Sequence, residues 1–490
     1  MIIELPVPIE INRITKTLTD KGFLAYIVGG CVRDLLMNRK PRDWDITTNA
    51  NPKQIEDLFS KTFYENKFGT VTVVNEGIED KTLVNVEITP FRTESTYSDH
   101  RHPDDITFAK TLTEDLTRRD FTINALAYDP HTKTLIDENK GVADIKNHLI
   151  KTVGDPNDRF TEDALRLMRA IRLATELNFE IEMKTKEAIT PKVETLLTIS
   201  KERVRDEWNK IVMSDNPLLG LNLLHQTKIL DQIIPELEEG IGITQGGSHI
   251  YDVWEHSIRA LKHSAFREMS LELRLAALFH DIGKPRTRRW SQEKNNWTFY
   301  GHEVVGAKMV TKILTRLKYS KQTIETVTAL VRYHMFFVDI EKITLSAVRR
   351  IIAGVGENLI WDLMKLRTAD RIGMGRPKET PYKLRKYESM IEEALRDPTS
   401  VKMLKINGED LMSKLNIPAG PKIGQILNAL LEEVLDDPTK NTPDYLHQRA
   451  LALTELSDLD LTNLAKQGQL KKAKVEKEAL TKIRRKHKVD

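Results

Sequence analysis

The segment spanning residues 26–49, YIVGGCVRDLLMNRKPRDWDITTN, constrains the fold more than any other part of the chain. An apolar run ends at Gly29 and Gly30, a short helical pattern follows, and Asp43 and Asp45 lead into another apolar run. Glycine lets backbone N–H groups approach an anion closely, and two carboxylates one residue apart on a strand point to the same face. The segment therefore predicts a corner suited to Mg²⁺ and a nucleoside triphosphate.

Length and composition limit the class of protein. The 490 residues suggest about three or four domains, and the 40% hydrophobic and 30% charged residues are compatible with polar domains that contain cores. No apolar run approaches the ~18 residues of a membrane span, and the N-terminus lacks a signal-peptide layout. The single cysteine, Cys31, cannot form an internal disulfide, so we expect a cytoplasmic protein. Because the net charge is only +3, binding to nucleic acid would need local basic patches.

Four segments around the glycine corner have regular or turn-like patterns. Residues 1–24 carry apolar residues at helical spacing, and residues 50–62 begin with Asn-Pro and continue as an amphipathic helix. Residues 68–92 alternate and are rich in β-branched side chains, which predicts two antiparallel strands joined by a polar turn at 76–81. Residues 94–111 are polar and contain a His-Pro-Asp turn, so they predict a mobile loop.

Glu87 lies in the second of these predicted strands, between Val86 and Ile88. A carboxylate inside an apolar strand needs a partner. One interpretation is an ion pair with Arg92 or another neighbour. The other is a third acid, or a general base, that faces the Asp-x-Asp pair. The residues alone leave both interpretations open.

A second charged group, Arg118, Arg119 and Asp120, opens a segment that we predict as an apolar helix. Arginines at such a position can clamp phosphates, while Asp120 or Asn124 can accept hydrogen bonds from ribose hydroxyls. Alone, this triplet would be ordinary solvated surface. It gains weight because a triphosphate site needs a cationic clamp.

The chain becomes helical from about residue 156. Asp163 and Arg166, beside Glu162, are spaced as an i,i+3 pair. They form either a surface ion pair, worth a few tenths of a kcal/mol, or a base-reading pair. In the second case the carboxylate accepts from the amino group of cytosine or adenine, and the guanidinium donates to a ring atom. Arg203, on a charged helix predicted at 200–212, is expected to face the same region.

Histidines and aspartates then recur at the ends of apolar helical segments. Any one of them would be an ordinary core or surface residue, but imidazole and carboxylate together suit a divalent transition metal. Zinc, nickel, manganese and iron all fit such a ligand set. The predicted ligands are His256, His280, Asp281 and Asp370, with His302 and His334 as further candidates.

The last part of the chain is helical and basic. Gly420-Pro421-Lys422 precedes a helix and either holds an RNA phosphate or serves as a connector. Residues 471–488 are strongly basic. They are predicted as a solvated or frayed terminal helix, with a phosphate-contacting tail as the alternative.

Several motifs, taken in order, resemble a known family. GGCVRD, DWD, FRTESTYSDHR, RRDFTINALAYD, TEDALRLMRAIRLA and KERVRDEW resemble class II tRNA nucleotidyltransferases, the CCA-adding enzymes, over roughly residues 20–225. HDIGKP and its flanking histidines resemble the HD phosphohydrolase superfamily. LKINGEDLMSKLNIPAGPKIG resembles the body-to-tail region of bacterial CCA-adding enzymes.

The resemblance implies an α+β, mostly α-helical fold in four parts. The head, residues 1–138, would be a polymerase β-like nucleotidyltransferase with a small mixed sheet. A helical neck with the base-reading motif would span 139–213. The body, 214–380, would contain the HD domain at about 250–375, and the tail, 381–490, would bind tRNA.

The resemblance also implies roles for residues. Asp43 and Asp45 would hold two Mg²⁺ ions with Glu87 as the supporting carboxylate, and the polar loop 94–111 would serve the switch from CTP to ATP. The residues expected to bind the nucleotide are Gly29, Gly30, Arg33, Arg118, Arg119, Asp120, Asn124, Glu162, Asp163, Arg166 and Arg203.

The implied function is addition of CCA to the 3′ end of tRNA from CTP and ATP without a nucleic-acid template, by two-metal nucleotidyl transfer. An HD phosphohydrolase activity would accompany it. One alternative keeps the fold: an A-adding enzyme or a poly(A) polymerase. A CC-only enzyme is disfavoured because its relatives resemble forms without the loop. The other alternative is an HD metal phosphohydrolase acting on RNA ends, with the head as an RNA-binding module.

Overall fold

The computed structural model describes residues 1–65, 69–94, 106–109, 111–246, 250–336, 343–396 and 401–489. Within it the chain forms two compact units. The first comprises Met1–His334 with Lys365–Pro377, and the second comprises Met335–Met364 with Lys378–Asp490. The four domain bounds expected from the sequence stay predictions. Among the described residues, no helix has both the length and the apolar character needed to cross a bilayer.

The first unit begins with a mixed sheet and short helices. Its elements are α1 Ile9–Thr19, β1 Ala25–Val28, α2 Gly30–Leu36, β2 Asp45–Thr48, α3 Pro52–Glu56, β3 Thr62–Glu65, β4 Thr70–Val74, α4 Lys81–Val84, β5 Asn85–Pro90, β6 Arg92–Glu94, β7 Ile106–Phe108, α5 Leu112–Thr117, β8 Ala127–Asp129, β9 Thr134–Ile136, α6 Gly141–Lys146 and β10 Leu149–Ile150. Seven strands form one sheet in the order β3-β4-β5-β2-β1-β8-β9. Within this sheet only β2 and β5 run parallel, so the small mixed sheet expected for the head is present.

The register of the central strands places the predicted acids side by side. Asp45 lies opposite Val28 of β1 on one side and opposite Glu87 of β5 on the other. Alternation along β5 buries Val86 and Ile88 in the core and leaves Glu87 exposed. Glu87 therefore stands on the solvent-facing side of the sheet, directly beside Asp45. This register fits the interpretation in which Glu87 faces the Asp-x-Asp pair, and its role as a third acid stays a prediction.

Several predicted elements differ in extent from the observed ones. The leading helix predicted for residues 1–24 is confined to α1, and the helix predicted for 50–62 ends with α3, so β3 was missed. The turn predicted at 76–81 leads into the short helix α4. The apolar helix predicted after Asp120 is absent, because Thr122–Asn124 form one 3-10 turn and β8 follows. A short, continuously apolar run shows no period, so the sequence pattern cannot tell a buried helix from a buried strand.

The helical part of the first unit follows. Its elements are α7 Pro156–Glu162, α8 Leu165–Leu177, β11 Glu180–Ile181, α9 Met183–Glu187, α10 Lys201–Met213, α11 Pro217–Gln226, α12 Ile229–Ile233, α13 Pro235–Glu238, α14 Val253–Phe266, α15 Leu271–Phe279, α16 Lys284–Thr287, β12 Arg289–Ser291, β13 Asn296–Thr298, α17 His302–Arg316 and α18 Lys321–Tyr333. The helix predicted from about residue 156 is interrupted, because Asp163 adopts an extended conformation between α7 and α8. The charged helix predicted at 200–212 is α10.

The second unit is helical throughout its described part. Helix α19 is Leu345–Val355, α20 Ile360–Gly373 spans the boundary between the units, and the remaining helices are α21 Tyr382–Leu395, α22 Gly408–Leu415, α23 Pro421–Asp436, α24 Pro443–Thr454 and α25 Asp458–Lys486. Its core contains Leu411, Ile426, Leu430 and Leu446. The basic segment predicted at 471–488 forms the last part of α25, which continues to Lys486. Most of its side chains are exposed or half-buried, as expected of a solvated terminal helix, and Arg396 pairs with Glu476 at 3.0 Å.

Two candidate active sites

The glycine corner brings the backbone close to two charged side chains. Gly29 has a φ of +83°, which favours glycine. A Cβ at this position would lie 3.2 Å from Arg119 Nη1 and 3.4 Å from Asp45 Oδ2. Helix α2 begins at Gly30, and a Cβ there would lie 3.5 Å from Arg33 Nη2. The predicted corner therefore joins a glycine turn, a helix N-terminus, a carboxylate and two guanidinium groups.

The three predicted acids of this corner influence one another electrostatically. Burial, together with the smaller effects of Asp43 and Glu87, raises the pKa of Asp45 to about 7, although Arg119 opposes them. A carboxylate whose pKa is raised by neighbouring carboxylates lies in a region of negative potential. Oxygen ligands in such a region suit Mg²⁺, which would offset the repulsion. The donor set at the head therefore fits the predicted magnesium site.

One carboxylate that the sequence interpretation missed, Asp115 on α5, orients both arginines of the clamp. Arg118 Nη2 donates to Asp115 Oδ1 at 2.7 Å, and Arg119 Nη2 donates to Asp115 Oδ2 at 3.1 Å. Asp115 is fully buried. Burial alone would raise its pKa, but Arg119 and Arg118 outweigh that effect and lower it. The only signal in the sequence is the spacing of an acid three and four residues before two arginines.

Asp120 lies at the centre of a second buried network. Arg169 donates to its Oδ2 from Nε at 2.8 Å, Asn124 Nδ2 donates to Oδ1 at 3.2 Å, and the Phe121 N–H also donates to Oδ1. Asn124 Oδ1 in turn accepts from Arg33 Nη1 at 2.7 Å. Burial would raise the pKa of Asp120, but the adjacent Arg169 lowers it well below the ordinary value. The contact of Asp120 with ribose, expected from the resemblance, stays a prediction.

The predicted base-reading residues lie around the break between α7 and α8. Asp163 Oδ1 accepts from the N–H of Leu165 at 3.0 Å, and Oδ2 accepts from Arg203 Nη2 at 3.1 Å. Arg166 Nη1 donates to Glu162 and to the Arg159 carbonyl oxygen. The expectation that Arg203 faces this region is confirmed. Asp163 adopts an extended conformation here, and its role in reading the base stays a prediction.

The loop 94–111 expected to serve the switch of nucleotide lies largely outside the described residues. Its two described ends pair as antiparallel strands, β6 with β7.

The second candidate site contains four buried histidines whose Nε2 atoms converge on two aspartates. Asp281 Oδ2 lies 3.1 Å from His256 Nε2 and 3.2 Å from His280 Nε2. Its other oxygen, Oδ1, lies 3.3 Å from His302 Nε2 and 3.6 Å from His334 Nε2. Asp370 Oδ1 lies 3.3 Å from His256 Nε2. All six residues predicted from the sequence, including the two further candidates, thus come together.

Backbone carbonyls orient the imidazole rings of this cluster. His280 Nδ1 lies 2.8 Å from the Ala277 oxygen, His302 Nδ1 lies 2.7 Å from the Phe299 oxygen, and His334 Nδ1 lies 2.7 Å from the Val331 oxygen. A carbonyl oxygen only accepts hydrogen bonds, so each Nδ1 carries the proton in the neutral ring. The three Nε2 lone pairs are therefore directed into the cluster, as metal ligation requires.

The ligand atoms fall into two groups that could each hold an ion. One group is His256, His280 and Asp370, and the other is Asp281, His302 and His334. Mixed imidazole and carboxylate ligands fit two divalent transition metals, with Asp281 between them. Without a metal, burial would lower the pKa of His280, but Asp281 and Asp370 raise it to about 10. Burial lowers the pKa of His334 to about 4.

Neighbouring residues that the sequence interpretation did not select complete this second site. Lys284 Nζ donates to Asp281 Oδ2 and to Gln245 Oε1, both at 2.6 Å, which places a buried cation beside the ligands. Gly283 lies very close to the start of α17. A Cβ at this position would lie 2.2 Å from the His302 oxygen, so a larger residue would not fit. On α20, a Cβ at Gly373 would lie 2.9 Å from the His256 oxygen and 3.1 Å from its Nδ1. The two glycines allow the ligand-bearing helices to approach each other.

Family models match three successive parts of the chain. The description "Poly A polymerase head domain" fits residues 25–151, "Probable RNA and SrmB- binding site of polymerase A" fits residues 178–241, and "HD domain" fits residues 253–385. The first match contains the glycine corner and its acids. The third contains both groups of metal-ligand candidates.

The chain is also similar to named proteins over most of its length. It is 32% identical over 444 residues to a CCA-adding enzyme of Ligilactobacillus salivarius, covering 90% of this chain and 96% of that protein. It is 34% identical over 422 residues to a CC-adding tRNA nucleotidyltransferase of Thermus thermophilus, covering 83% and 89%. The crystal structure of a Bacillus stearothermophilus CCA-adding enzyme in complex with CTP is 27% identical, with a TM-score of 0.60 and coverage of 90% and 98%.

Proposed function

The chain belongs to the CCA-adding enzyme family and carries an HD domain, and on this premise we propose that it extends tRNA 3′ ends with CTP and ATP. The observation that carries the proposal is the position of Asp45 between the glycine turn and Glu87, with Asp43 beside it. Two relatives that cover most of the chain are named a CCA-adding enzyme and a CC-adding tRNA nucleotidyltransferase, and tRNA, CTP and ATP are the partners we assign. We further propose the cytoplasm as the compartment.

The head residues would divide the work of nucleotidyl transfer. Two Mg²⁺ ions held by Asp43 and Asp45, beside Glu87, would supply Lewis acidity for attack of an RNA 3′-hydroxyl on the α-phosphorus of the nucleotide, with pyrophosphate as the leaving group. Arg119, which lies against Gly29, would face the negative charge of the triphosphate. Arg33 is held by Asn124 on the other side of the same turn. Because both guanidinium groups are anchored, little reorganisation is needed when the phosphates bind.

Base selection would fall to the residues between α7 and α10. The Asp163 carboxylate is fixed by the N–H of Leu165 and by Arg203, which leaves lone pairs free in a defined direction for an exocyclic amino group. Cytosine and adenine carry this amino group, and uracil and guanine lack it at the corresponding position. Arg166, held by Glu162, would donate to a ring acceptor. This arrangement would read the base without a nucleic-acid template.

The decisive experiment supplies three tRNA substrates, ending at the discriminator base, at CC and at CCA, with each NTP separately. We expect addition of two C residues to the first substrate and of A to the second. Asp45→Ala should abolish both additions while tRNA binding persists. Addition of C alone would assign the activity named for the Thermus thermophilus relative, and addition of A alone would assign an A-adding enzyme or a poly(A) polymerase. Transfer by Asp45→Ala would overturn the catalytic assignment.

We also propose a phosphohydrolase activity at the HD site, because its four histidines direct Nε2 at two aspartates. Two divalent ions held there would supply Lewis acidity for hydrolysis of 2′,3′-cyclic phosphates or 2′-phosphates at RNA ends. Lys284, beside Asp281 and Gln245, would counter the negative charge of the phosphate. The backbone carbonyls that accept from Nδ1 would keep the ligand histidines oriented.

The HD activity can be tested independently of the head. The full-length protein, loaded with Mn²⁺, Ni²⁺ or Co²⁺, is incubated with RNA oligonucleotides carrying either phosphate. We expect Asp281→Ala to abolish both opening of the cyclic phosphate to a monoester and release of the 2′-phosphate, and Asp45→Ala to retain both. Hydrolysis that persists in Asp281→Ala would show that the phosphohydrolase site lies elsewhere. The alternative in which the head only binds RNA predicts hydrolysis without nucleotide transfer by the unaltered protein.

A further inference from the structure

A short β-hairpin is inserted between two halves of the HD ligand set. Strands β12 and β13 pair antiparallel, with Trp290 opposite Trp297. Along the chain the hairpin begins eight residues after Asp281 and ends four residues before His302. It therefore connects one metal-ligand candidate directly to the next. An element in this position can present side chains to whatever molecule enters the site.

The base of the hairpin contacts the residues that surround the ligands. The carbonyl oxygen of Phe299 accepts from His302 Nδ1 at 2.7 Å, and the Phe299 ring centroid lies 5.8 Å from Lys284 Nζ. Arg288 donates to Thr244 Oγ1 at 3.0 Å. Gly246 packs so closely on β13 that a Cβ would lie 2.1 Å from Asn296 Oδ1. The hairpin is thus anchored next to Asp281 rather than projecting from an unrelated surface.

The outer part of the hairpin exposes aromatic rings between cations. Trp290 is 51% exposed, and its ring meets Trp297 edge-on with centroids 5.3 Å apart. The guanidinium of Arg288 lies 3.8 Å from the Trp297 ring centroid on this cross-strand pair. Tyr300 is 72% exposed, and its hydroxyl accepts from Lys294 Nζ at 2.6 Å. Buttressed rings with exposed faces, flanked by positive charge, have the character of a stacking surface.

We propose that this hairpin, through the exposed ring of Trp290, stacks the nucleobase of the nucleotide whose phosphate enters the HD site. The inference rests on the phosphohydrolase activity proposed above and names its substrate class: nucleotides and RNA 3′ ends rather than phosphate esters in general. The Arg289 side chain, exposed next to Trp290, adds a positive charge for the phosphodiester backbone.

Charge favours a nucleic acid over an apolar protein partner at this surface. The segment 286–294 contains three arginines, one lysine and one glutamate, although Arg286 is engaged with Glu239. Cations interleaved with exposed rings match the anionic backbone and the π-faces of single-stranded RNA. Lys284, the cation that donates to Asp281, would face the phosphate of that nucleotide.

The test compares two monoesters of a secondary alcohol that undergo the same reaction. Adenosine 2′-monophosphate and glycerol 2-phosphate each lose phosphate when water adds to phosphorus and the bond to the alcohol oxygen breaks, which yields inorganic phosphate and the alcohol. The Mn²⁺-loaded full-length protein is assayed for kcat/KM on both. We expect Trp290→Ala to lower the ratio of the two values by about tenfold or more. Trp290→Phe, which keeps a ring, should restore most of the ratio.

A matched control is available on the same domain. Phe266 is 76% exposed with the Arg267 guanidinium 5.7 Å from its ring centroid, and it lies ten residues from His256 along α14, about 15 Å away. Phe266→Ala should leave the ratio unchanged. If Trp290→Ala also leaves it unchanged, the stacking surface is refuted while the phosphohydrolase activity stands.

If neither ester is hydrolysed, the phosphohydrolase proposal is contradicted. The role of Trp290 can then still be tested by a binding measurement. Adenosine 2′-monophosphate is titrated into metal-free protein while tryptophan fluorescence is followed. We expect quenching that is absent from Trp290→Ala and present in Phe266→Ala. Equal quenching in the two variants, or none in the unaltered protein, would refute a role for Trp290.

Discussion

Arg203 donates a hydrogen bond to Asp163 across 3.1 Å and thereby joins α10 to the break between α7 and α8, forty residues earlier in the chain. The other oxygen of Asp163 accepts from the N–H of Leu165. A carboxylate held at both oxygens keeps one orientation, and an orientation that does not vary is what discrimination between bases requires. Arg203 is therefore expected to act on base choice through Asp163.

Replacing Arg203 with alanine should weaken base selection more than transfer itself. Loss of one charge-assisted hydrogen bond costs about 1.5–3 kcal/mol, so the preference for CTP over UTP should fall by about tenfold or more. The measurement is incorporation of each nucleotide into tRNA that ends at the discriminator base. Arg205→Ala, on the same helix but paired with Asp206, is the control and should keep the preference. An unchanged preference in Arg203→Ala would contradict this role.

Asp115→Ala should destabilise the head, because it removes the shared partner of two arginines. The carboxylate is fully buried and Arg118 and Arg119 both pair with it. Removing one side of a buried ion pair leaves uncompensated charge and costs about 3–5 kcal/mol. Urea unfolding monitored by circular dichroism would measure the loss. Asp57→Ala, at an exposed carboxylate of the same head, should stay within about 0.5 kcal/mol; similar losses in both variants would contradict the specific role of Asp115.

Asp45→Asn should stabilise the metal-free protein at neutral and higher pH while abolishing nucleotide transfer. The pKa of Asp45 is about 7 in the folded state, above the ordinary 3.8. Between these values the folded protein binds more protons than the unfolded chain, so the contribution of this group to stability falls as pH rises from about 4 to 7. Thermal unfolding in EDTA should therefore show a larger gain in Tm for the variant at pH 8 than at pH 5. Equal gains at both values would contradict the raised pKa.

The two-sided position of Asp281 predicts two metal ions per HD site. Its Oδ2 faces His256 and His280, and its Oδ1 faces His302 and His334. Equilibrium dialysis against Ni²⁺, performed in an Asp45→Ala background to weaken binding at the head, should give about two ions per chain. His302→Ala should leave about one.

Two further variants complete that metal experiment. Asp281→Ala should reduce binding at both positions, because it borders both groups of ligands. His225→Ala, whose Nδ1 bonds to Glu238 outside the cluster, is the matched histidine control and should keep the full count. A single ion in the unaltered HD site would contradict the dinuclear assignment.

The corner around Gly29 could be predicted because its elements follow short-range rules. Asp45 opens β2, Asp43 lies only two residues before it, and a glycine turn before a helix is a local feature. The side of the sheet on which Glu87 stands could not be predicted, since the residues around it fit burial as well as exposure. The pairing of β2 with β5 that brings Glu87 beside Asp45 is a long-range event.

The HD ligands could be selected from the sequence because each one lies at the end of an apolar helical segment. Their division into two groups could not, since it depends on which oxygen of Asp281 faces which histidine. Likewise, nothing in the spacing of Asp115 indicates that it is buried, because an acid at i−3 and i−4 from two arginines is equally typical of an exposed helix surface. Such assignments depend on packing between distant segments.

Metal binding at the HD site should release protons. Without metal, Asp281 and Asp370 overcome the effect of burial and raise the pKa of His280 to about 10, so this ring is protonated at pH 7 and its Nε2 is blocked. An ion can bind there only by displacing that proton, so the apparent affinity should rise by about tenfold per pH unit for each proton released.

Calorimetric titration of Ni²⁺ at pH 7 in buffers of different ionisation enthalpy measures the number of protons released. We expect at least one proton for the unaltered protein and the same number for His225→Ala. Binding enthalpies that do not depend on the buffer would show that His280 is already neutral. The protonated His280 expected beside Asp281 and Asp370 in the metal-free protein would then be wrong.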